Sequence, residues 1–118
     1  SEYDLIDTLL NKDATGFIKV SSYLREIDTS LSYIIFLVNQ ELEKIYSLIK
    51  PTTSKPYIPS FLMTKYTSAS KKYTLDELLF LLKNIASIDI KSKYMSKKSN
   101  PWVSFNSLFH NLMSKRAE

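Results

Sequence analysis

A single glycine, Gly16, occurs among the 118 residues of this chain. Globular proteins contain about 7% glycine on average. Glycine supplies the backbone conformations that tight turns and phosphate-binding loops require. Its scarcity excludes glycine-rich phosphate loops and most β architectures with many turns, so a helical fold is the expectation.

Apolar residues recur at helical spacing along most of the chain. The longest such run predicts an amphipathic helix over about residues 29 to 50, and Pro51 ends it because proline cannot continue an α-helix. A shorter first helix is expected to end near Asn11, with Gly16 in the turn that follows. Residues 20–28 either join the long helix or form a separate one.

Residues 51–59, PTTSKPYIP, carry three of the four prolines. Proline lacks an amide donor and restricts the residue before it. We therefore predict an internal loop here, followed by a short helix capped by Ser60.

The next two helix starts have clear sequence signals. Thr74-Leu75-Asp76-Glu77 matches a capping box and predicts a helix from residue 75. Its buried stripe should comprise Leu75, Leu78, Leu79, Leu82 and Ile85, widened by Phe80 and Leu81.

Asp89 is interpreted as the cap of a further short helix. Asn100-Pro101 then predicts a last helix from 101 to about 115, because asparagine caps and proline fits the first helical position. Together these patterns predict a single all-α domain over residues 1–118, a small antiparallel helical bundle of about five or six helices.

Other features of the composition narrow the class of protein. There is no cysteine, and His110 is the only histidine, so a protein-bound transition metal is not expected. No apolar run approaches the roughly 20 residues of a membrane span, which predicts a cytoplasmic protein without membrane contact. Because the chain opens Ser1-Glu2-Tyr3, we expect it to be part of a larger polypeptide.

The charges are unevenly distributed. Residues 1–49 hold eight acidic and four basic residues, whereas residues 50–118 hold four acidic and twelve basic residues. These halves carry net charges of −4 and +8. A basic cluster favours polyanionic partners through steering and counterion release.

No pattern points to catalysis. His110 has no serine or cysteine nucleophile in a recognisable motif. Neighbouring carboxylates such as Asp4 and Asp7 are typical of solvated helix faces. We therefore expect no catalytic residue and no metal site.

The segment KSKYMSKKSNPW, residues 91–102, interleaves lysines with aromatic residues and contains no acid. Single-strand binding proteins combine a basic groove for the backbone with aromatic faces for the bases. The predicted nucleic-acid contacts are Lys91, Lys93, Tyr94, Lys97, Lys98, Trp102, Lys115 and Arg116. The same mixture recurs in a second set of residues that are candidates to extend this face, namely Lys55, Tyr57, Lys65, Tyr66, Lys71, Lys72 and Tyr73.

A nucleotide has a second type of candidate site. Helix starts expose amides that bind phosphate, and lysines precede the starts at Thr74 and Asn100. The predicted nucleotide contacts are Lys71, Lys72 and Asn100.

Three other interpretations stay open. Tyr94 and Trp102 are alternatively core residues beside solvated lysines. The helix around Leu79, Phe80 and Leu81 is alternatively a docking surface of a protein-interaction bundle. A helix-turn-helix reader of double-stranded DNA is less favoured, because no helix presents a row of Arg, Asn and Gln for base edges.

The chain resembles the helix-bundle accessory domain that follows the catalytic domain in primase-polymerases of archaeal plasmids. The resemblance rests on size, helix order, the basic C-terminal half, richness in Lys, Ile, Ser and Tyr, and the series of helices ending SNPWVSFNSLFHNLMSKR. It implies binding of a single-stranded DNA template and of ATP or another nucleoside triphosphate, with Mg²⁺ carried by the nucleotide. It also implies that a separate catalytic domain of the same polypeptide supplies the metal-binding carboxylates.

Overall fold

A computed structural model describes residues 1–51, 53–94 and 100–115, and within them it contains helices and no strand. The helices form a compact bundle, so the predicted all-α fold is confirmed. The six α-helices are α1 (Glu2–Leu10), α2 (Ala14–Glu26), α3 (Leu31–Ile49), α4 (Met63–Ser70), α5 (Leu75–Tyr94) and α6 (Pro101–Met113). A 3₁₀ turn, Ser60–Leu62, precedes α4.

The two helix starts predicted at Thr74 and Asn100 are confirmed. The Glu77 amide donates to Thr74 Oγ1 at 3.1 Å, and the Thr74 amide donates to Glu77 Oε1 at 2.9 Å. At α6 the Val103 amide donates to Asn100 Oδ1 at 3.3 Å, with Pro101 in the first turn. Residues 20–28 do not join the long helix, because α2 ends at Glu26.

Three local predictions were wrong. Gly16 lies inside α2 rather than in a turn, and Asp13 Oδ1 caps its amide at 3.0 Å. The chain reverses instead at Lys12, whose φ is 53°. Ser60 makes no capping bond, because a 3₁₀ turn begins there and Pro59 precedes it. Asp89 starts no helix, since α5 continues unbroken to Tyr94.

The buried stripe of α5 differs from the prediction. Its buried residues are Leu78, Leu81, Ile85 and Ile88. Leu79 and Phe80 are exposed, and Leu75 and Leu82 are partly buried. The stripe is shifted because α5 packs between α3 and α6, and helical spacing alone does not say which neighbours a leucine-rich helix has.

Aromatic packing joins α2 to α6. Phe17 stacks on Phe109 with ring centroids 4.7 Å apart, and it also contacts Phe105 at 5.8 Å. All three side chains are fully buried. The Ser21 hydroxyl donates to Asn106 Oδ1 in the same interface. These pairings show that α2 and α6 are antiparallel, since the order of contacts along the two helices is reversed.

α3 and α5 are also antiparallel. The Ser32 hydroxyl near the start of α3 donates to Asp89 Oδ1 near the end of α5 at 3.2 Å. Further along, Tyr46 of α3 and Leu82 of α5 line one surface groove with residues 54–56 of the proline-rich segment. The ends of α2 and α5 therefore lie together with the starts of α3 and α6. We call this the Tyr94 end.

The opposite end is held by Lys12, which follows α1. Its ammonium donates to the Lys72 carbonyl at 3.0 Å and lies 3.4 Å from Glu77 Oε2. It also lies 5.1 Å from the centre of the Tyr73 ring. The starts of α2 and α5 and the end of α6 therefore share this side of the bundle, which we call the Lys72 end.

Candidate nucleic-acid interface

The C-terminal turn of α5 exposes a basic and aromatic surface at the Tyr94 end. Tyr94 is 79% exposed. Lys91 is exposed, and no acidic group of the described residues lies within ion-pair distance of it. Lys93 is exposed too, although its ammonium lies 3.0 Å from Asp89 Oδ2. Residues three apart on a helix are surface neighbours, so Lys91 and Tyr94 present a cation beside an aromatic face.

The first turn of α6 contributes Trp102 and Asn100 to this end. Trp102 is partly buried, and its ring meets Phe105 edge to face. One side of the Trp102 ring therefore packs against the core, and part of its surface stays accessible. The Asn100 side-chain oxygen accepts from Val103, so this oxygen already serves the helix cap.

Several predicted contacts lie outside the described residues, namely Lys97, Lys98 and Arg116. In sequence, Lys97 and Lys98 belong to the connection between α5 and α6.

Lys115 is not part of the Tyr94 end. It follows the end of α6, a helix of 13 residues, which makes it about 20 Å long. Because α6 and α2 are antiparallel, the end of α6 lies near the start of α2. The structure thus separates Lys115 from Tyr94 and Trp102 and places it toward the Lys72 end.

The predicted nucleotide contacts are also divided. Lys71 and Lys72 are exposed at the Lys72 end, just before α5. The 20 residues of α5 span about 30 Å, and Asn100 follows the far end of that helix. Lys71 lines a shallow groove of about 280 Å³ along α4 with Met63, Thr64, Thr67 and Ser68. The structure does not bring Lys71 and Lys72 together with Asn100.

Two candidate aromatic residues belong to the core. Tyr66 and Tyr73 are each only 4% exposed. Burial raises the pKa of Tyr66, and the nearby Glu41 carboxylate, to which the Tyr66 hydroxyl donates, raises it further. Burial likewise raises the pKa of Tyr73, with a smaller effect from Glu77. Both rings are therefore unavailable to bases, and the expectation that they extend the face was wrong.

Sequence reasoning missed the aromatic surface of α3. Tyr33 and Phe36 are exposed near the start of this helix. Phe36 lines a groove of about 500 Å³ between α3 and α5, together with Lys93. The available signal was that Phe36 is a large aromatic residue displaced from the stripe of Ile34, Ile35 and Val38.

The described side chains show no arrangement for metal chemistry. Within residues 1–51, 53–94 and 100–115, no three His, Cys, Asp or Glu side chains are grouped so as to hold a metal ion. His110 is exposed near the end of α6.

Among the described helices, none combines the length and the apolar character needed to cross a bilayer. Comparisons with protein families, with curated proteins and with solved structures yielded no match for this chain.

Proposed function

We propose that this chain is an accessory domain of a DNA primase, which binds the single-stranded template and nucleoside triphosphates to support primer initiation. The catalytic domain of the same polypeptide would make the primer. The observation that carries the binding part is the Tyr94 end, where an exposed aromatic ring lies beside the exposed Lys91. A partly exposed tryptophan begins the neighbouring helix.

This combination suits a single strand. Lysines that neutralise phosphates release counterions, which drives binding independently of base sequence. Bases of a flexible single strand can unstack from their neighbours, and aromatic side chains stack on the faces that become exposed. Tyr94 and Trp102 offer such rings, while Lys91, Lys93, Lys97 and Lys98 offer positive charge.

The primase context is supported by the sequence resemblance, which extends to the segment SNPWVSFNSLFHNLMSKR. In this proposal the domain raises the local concentration of template and nucleoside triphosphate. Mg²⁺ arrives with the nucleotide, and the chemistry takes place on the catalytic domain.

An NMR titration of the ¹⁵N-labelled chain with a short single-stranded DNA, with and without ATP and magnesium, tests the proposal. We expect amide shifts concentrated in residues 91–105 and altered by ATP. An unchanged spectrum at millimolar ligand would overturn the proposal.

One observation favours a second candidate, a protein-interaction bundle. Leu79 and Phe80 are 45% and 53% exposed on the outer side of α5, and exposed apolar patches often mark protein contacts. Leu81, which was expected to share this surface, is fully buried. This candidate predicts association that depends on protein concentration, is abolished by Phe80→Asp and occurs without any affinity for oligonucleotides. Sedimentation equilibrium of the wild type and of Phe80→Asp measures this association. The DNA titration above distinguishes this candidate from the primase accessory domain.

A further inference from the structure

A groove of about 500 Å³ runs between α3 and α5 at the Tyr94 end. Its lining combines an aromatic ring, side-chain amides and charged groups of both signs. The side chains that matter are Phe36, Asn39, Gln40, Glu43, Asp89 and Lys93.

Phe36 forms an aromatic wall of this groove. It is 56% exposed, although a phenyl ring of this size is usually buried in a small domain. An exposed ring beside an open groove can stack on one base, and such stacking tolerates any base because every base has a π-face.

The middle of the groove carries groups that suit a base edge. Asn39 Nδ2 donates to Glu43 Oε1 at 3.2 Å, and within the described residues the other carboxylate oxygen of Glu43 accepts no hydrogen bond. Gln40 is exposed and engages no hydrogen-bond partner within the described residues. Side-chain amides pair with adenine edges, and carboxylates accept from exocyclic amino groups.

The charged groups of the groove do not favour a phosphate inside it. Glu43 and Asp89 are acidic. Lys93, the lysine among the lining side chains, is paired with Asp89 at 3.0 Å, while the Ser32 hydroxyl donates to the other Asp89 oxygen at 3.2 Å. Lys91 does not line the groove, since it lies about 200° around α5 from Asp89. The phosphate of a nucleotide whose base enters the groove is therefore expected to stay outside it.

We propose that this groove binds the base of one nucleotide unit, with the base against Phe36 and toward Gln40 and Glu43, and with the phosphate outside the groove, away from the Glu43 and Asp89 carboxylates. The inference rests on the proposed function and gives it a location that the sequence did not indicate. The unit is either one residue of the single strand or a free nucleoside triphosphate, which share this chemistry.

Phe36→Ala tests the groove, and Phe61→Ala is its matched control. Phe61 is also an exposed phenylalanine, at 83%, but it lies in the 3₁₀ turn before α4. Binding of a fluorescein-labelled 12-nucleotide single strand is measured by anisotropy, and binding of ATP with magnesium by calorimetry. We expect Phe36→Ala to weaken one of these affinities about tenfold, as loss of a stacking ring does, and Phe61→Ala to leave both unchanged.

The oligonucleotide and ATP measurements together identify the source of the nucleotide. A loss confined to the oligonucleotide places a residue of the strand in the groove, whereas a loss confined to ATP places a free nucleotide there. If circular dichroism shows Phe36→Ala to be unfolded, Phe36→Leu takes its place. Leucine keeps the apolar contact and lacks the aromatic ring.

The failures are distinguishable. The proposed groove site would be contradicted if Phe36→Ala bound both ligands as tightly as the wild type, or if the Phe36 and Phe61 variants lost affinity equally. Neither result would contradict the proposed function. Failure of the wild-type chain to bind either ligand would overturn the proposed function, and the groove with it.

Discussion

The indole of Trp102 meets the ring of Phe105 edge to face, with ring centroids 6.1 Å apart and planes at 86°. Phe105 is fully buried against Phe17 and Phe109. Trp102 thus joins the core on one side and stays partly accessible on the other. The same side chain therefore contributes to the packing of the bundle and to the surface of the candidate interface.

Because Trp102 is the only tryptophan, its fluorescence reports on this end alone. We expect single-stranded DNA to quench the emission of Trp102, since a base that stacks on an indole contacts it directly. The quenching should saturate at the same DNA concentration as the anisotropy of a labelled strand. A strand that binds by anisotropy and leaves the emission unchanged would assign Trp102 to packing only.

Charge reversal at Lys91 should weaken binding of a single strand. A lysine that contacts one phosphate contributes about one unit to the slope of log K against log salt concentration. We expect Lys91→Glu to lower both the affinity and this slope, and the paired change Lys97→Glu and Lys98→Glu to lower them further. Anisotropy titrations at four salt concentrations provide the slope.

Lys19→Glu is the matched control for this series. Lys19 is exposed on α2 and has no ion-pair partner within the described chain, and it lies outside the basic segment. Lys12 is unsuitable, because its ammonium contacts Glu77 and the Lys72 carbonyl and its reversal would disturb the fold. Equal losses for Lys19→Glu and Lys91→Glu would show general electrostatic attraction without a defined face.

The helix starts at Thr74 and Asn100 were predictable because each has a complete capping signal in the local sequence. Thr74 with Glu77, and Asn100 with Pro101, each complete a cap within four residues. Those bonds join residues within one helical turn, so their signal can be recognised without the tertiary structure. The long helix α3 was predictable for a similar reason, because its apolar period extends over five turns before Pro51.

The features that were missed depend on contacts between distant residues. Asp89 stays inside α5 while its carboxylate accepts from Ser32, 57 residues away. Tyr73 is buried with its hydroxyl bonded to the Leu9 carbonyl, and no spacing in the sequence indicates that pair. The groove beside Phe36 exists only because α3 and α5 are antiparallel neighbours, so a candidate site drawn from the sequence alone did not include it.

Substitutions at Asn100 separate its capping role from ligand binding. Asn100→Ala removes the acceptor for the Val103 amide, which costs about 1 kcal/mol for a lost N-cap. We expect the melting temperature to fall by about 4 °C. Thermal unfolding followed by circular dichroism measures this shift.

Asn100→Asp keeps the cap and places a negative charge where the helix dipole favours it. Its melting temperature should stay at or above that of the wild type, while its affinity for a single strand falls because the added carboxylate repels phosphate. If Asn100→Asp binds DNA as tightly as the wild type, the start of α6 does not approach the nucleic-acid backbone.

Alkaline pH should destabilise the bundle through Tyr66 and Tyr73. Burial raises the pKa of both phenols in the folded state, whereas the unfolded chain has an ordinary tyrosine pKa of about 10. Below that pH both states are protonated and the contribution is constant. Above it the unfolded state loses protons that the folded state retains, so the free energy of unfolding falls as pH rises. Urea denaturation between pH 8 and pH 11.5 measures the slope.

Variants assign this slope to individual tyrosines. Tyr66→Phe and Tyr73→Phe should each flatten the decline above about pH 10. Tyr73→Phe also starts from lower stability because it removes the buried hydrogen bond from the Tyr73 hydroxyl to the Leu9 carbonyl, which keeps the Lys12 amide as its other donor. Tyr57→Phe is the control, because Tyr57 is 81% exposed and its substitution removes a tyrosine that is not buried. All other side chains are the same in the three variants, so the comparison isolates the tyrosine that was replaced. Identical slopes in the three variants and the wild type would contradict the buried, protonated state of Tyr66 and Tyr73.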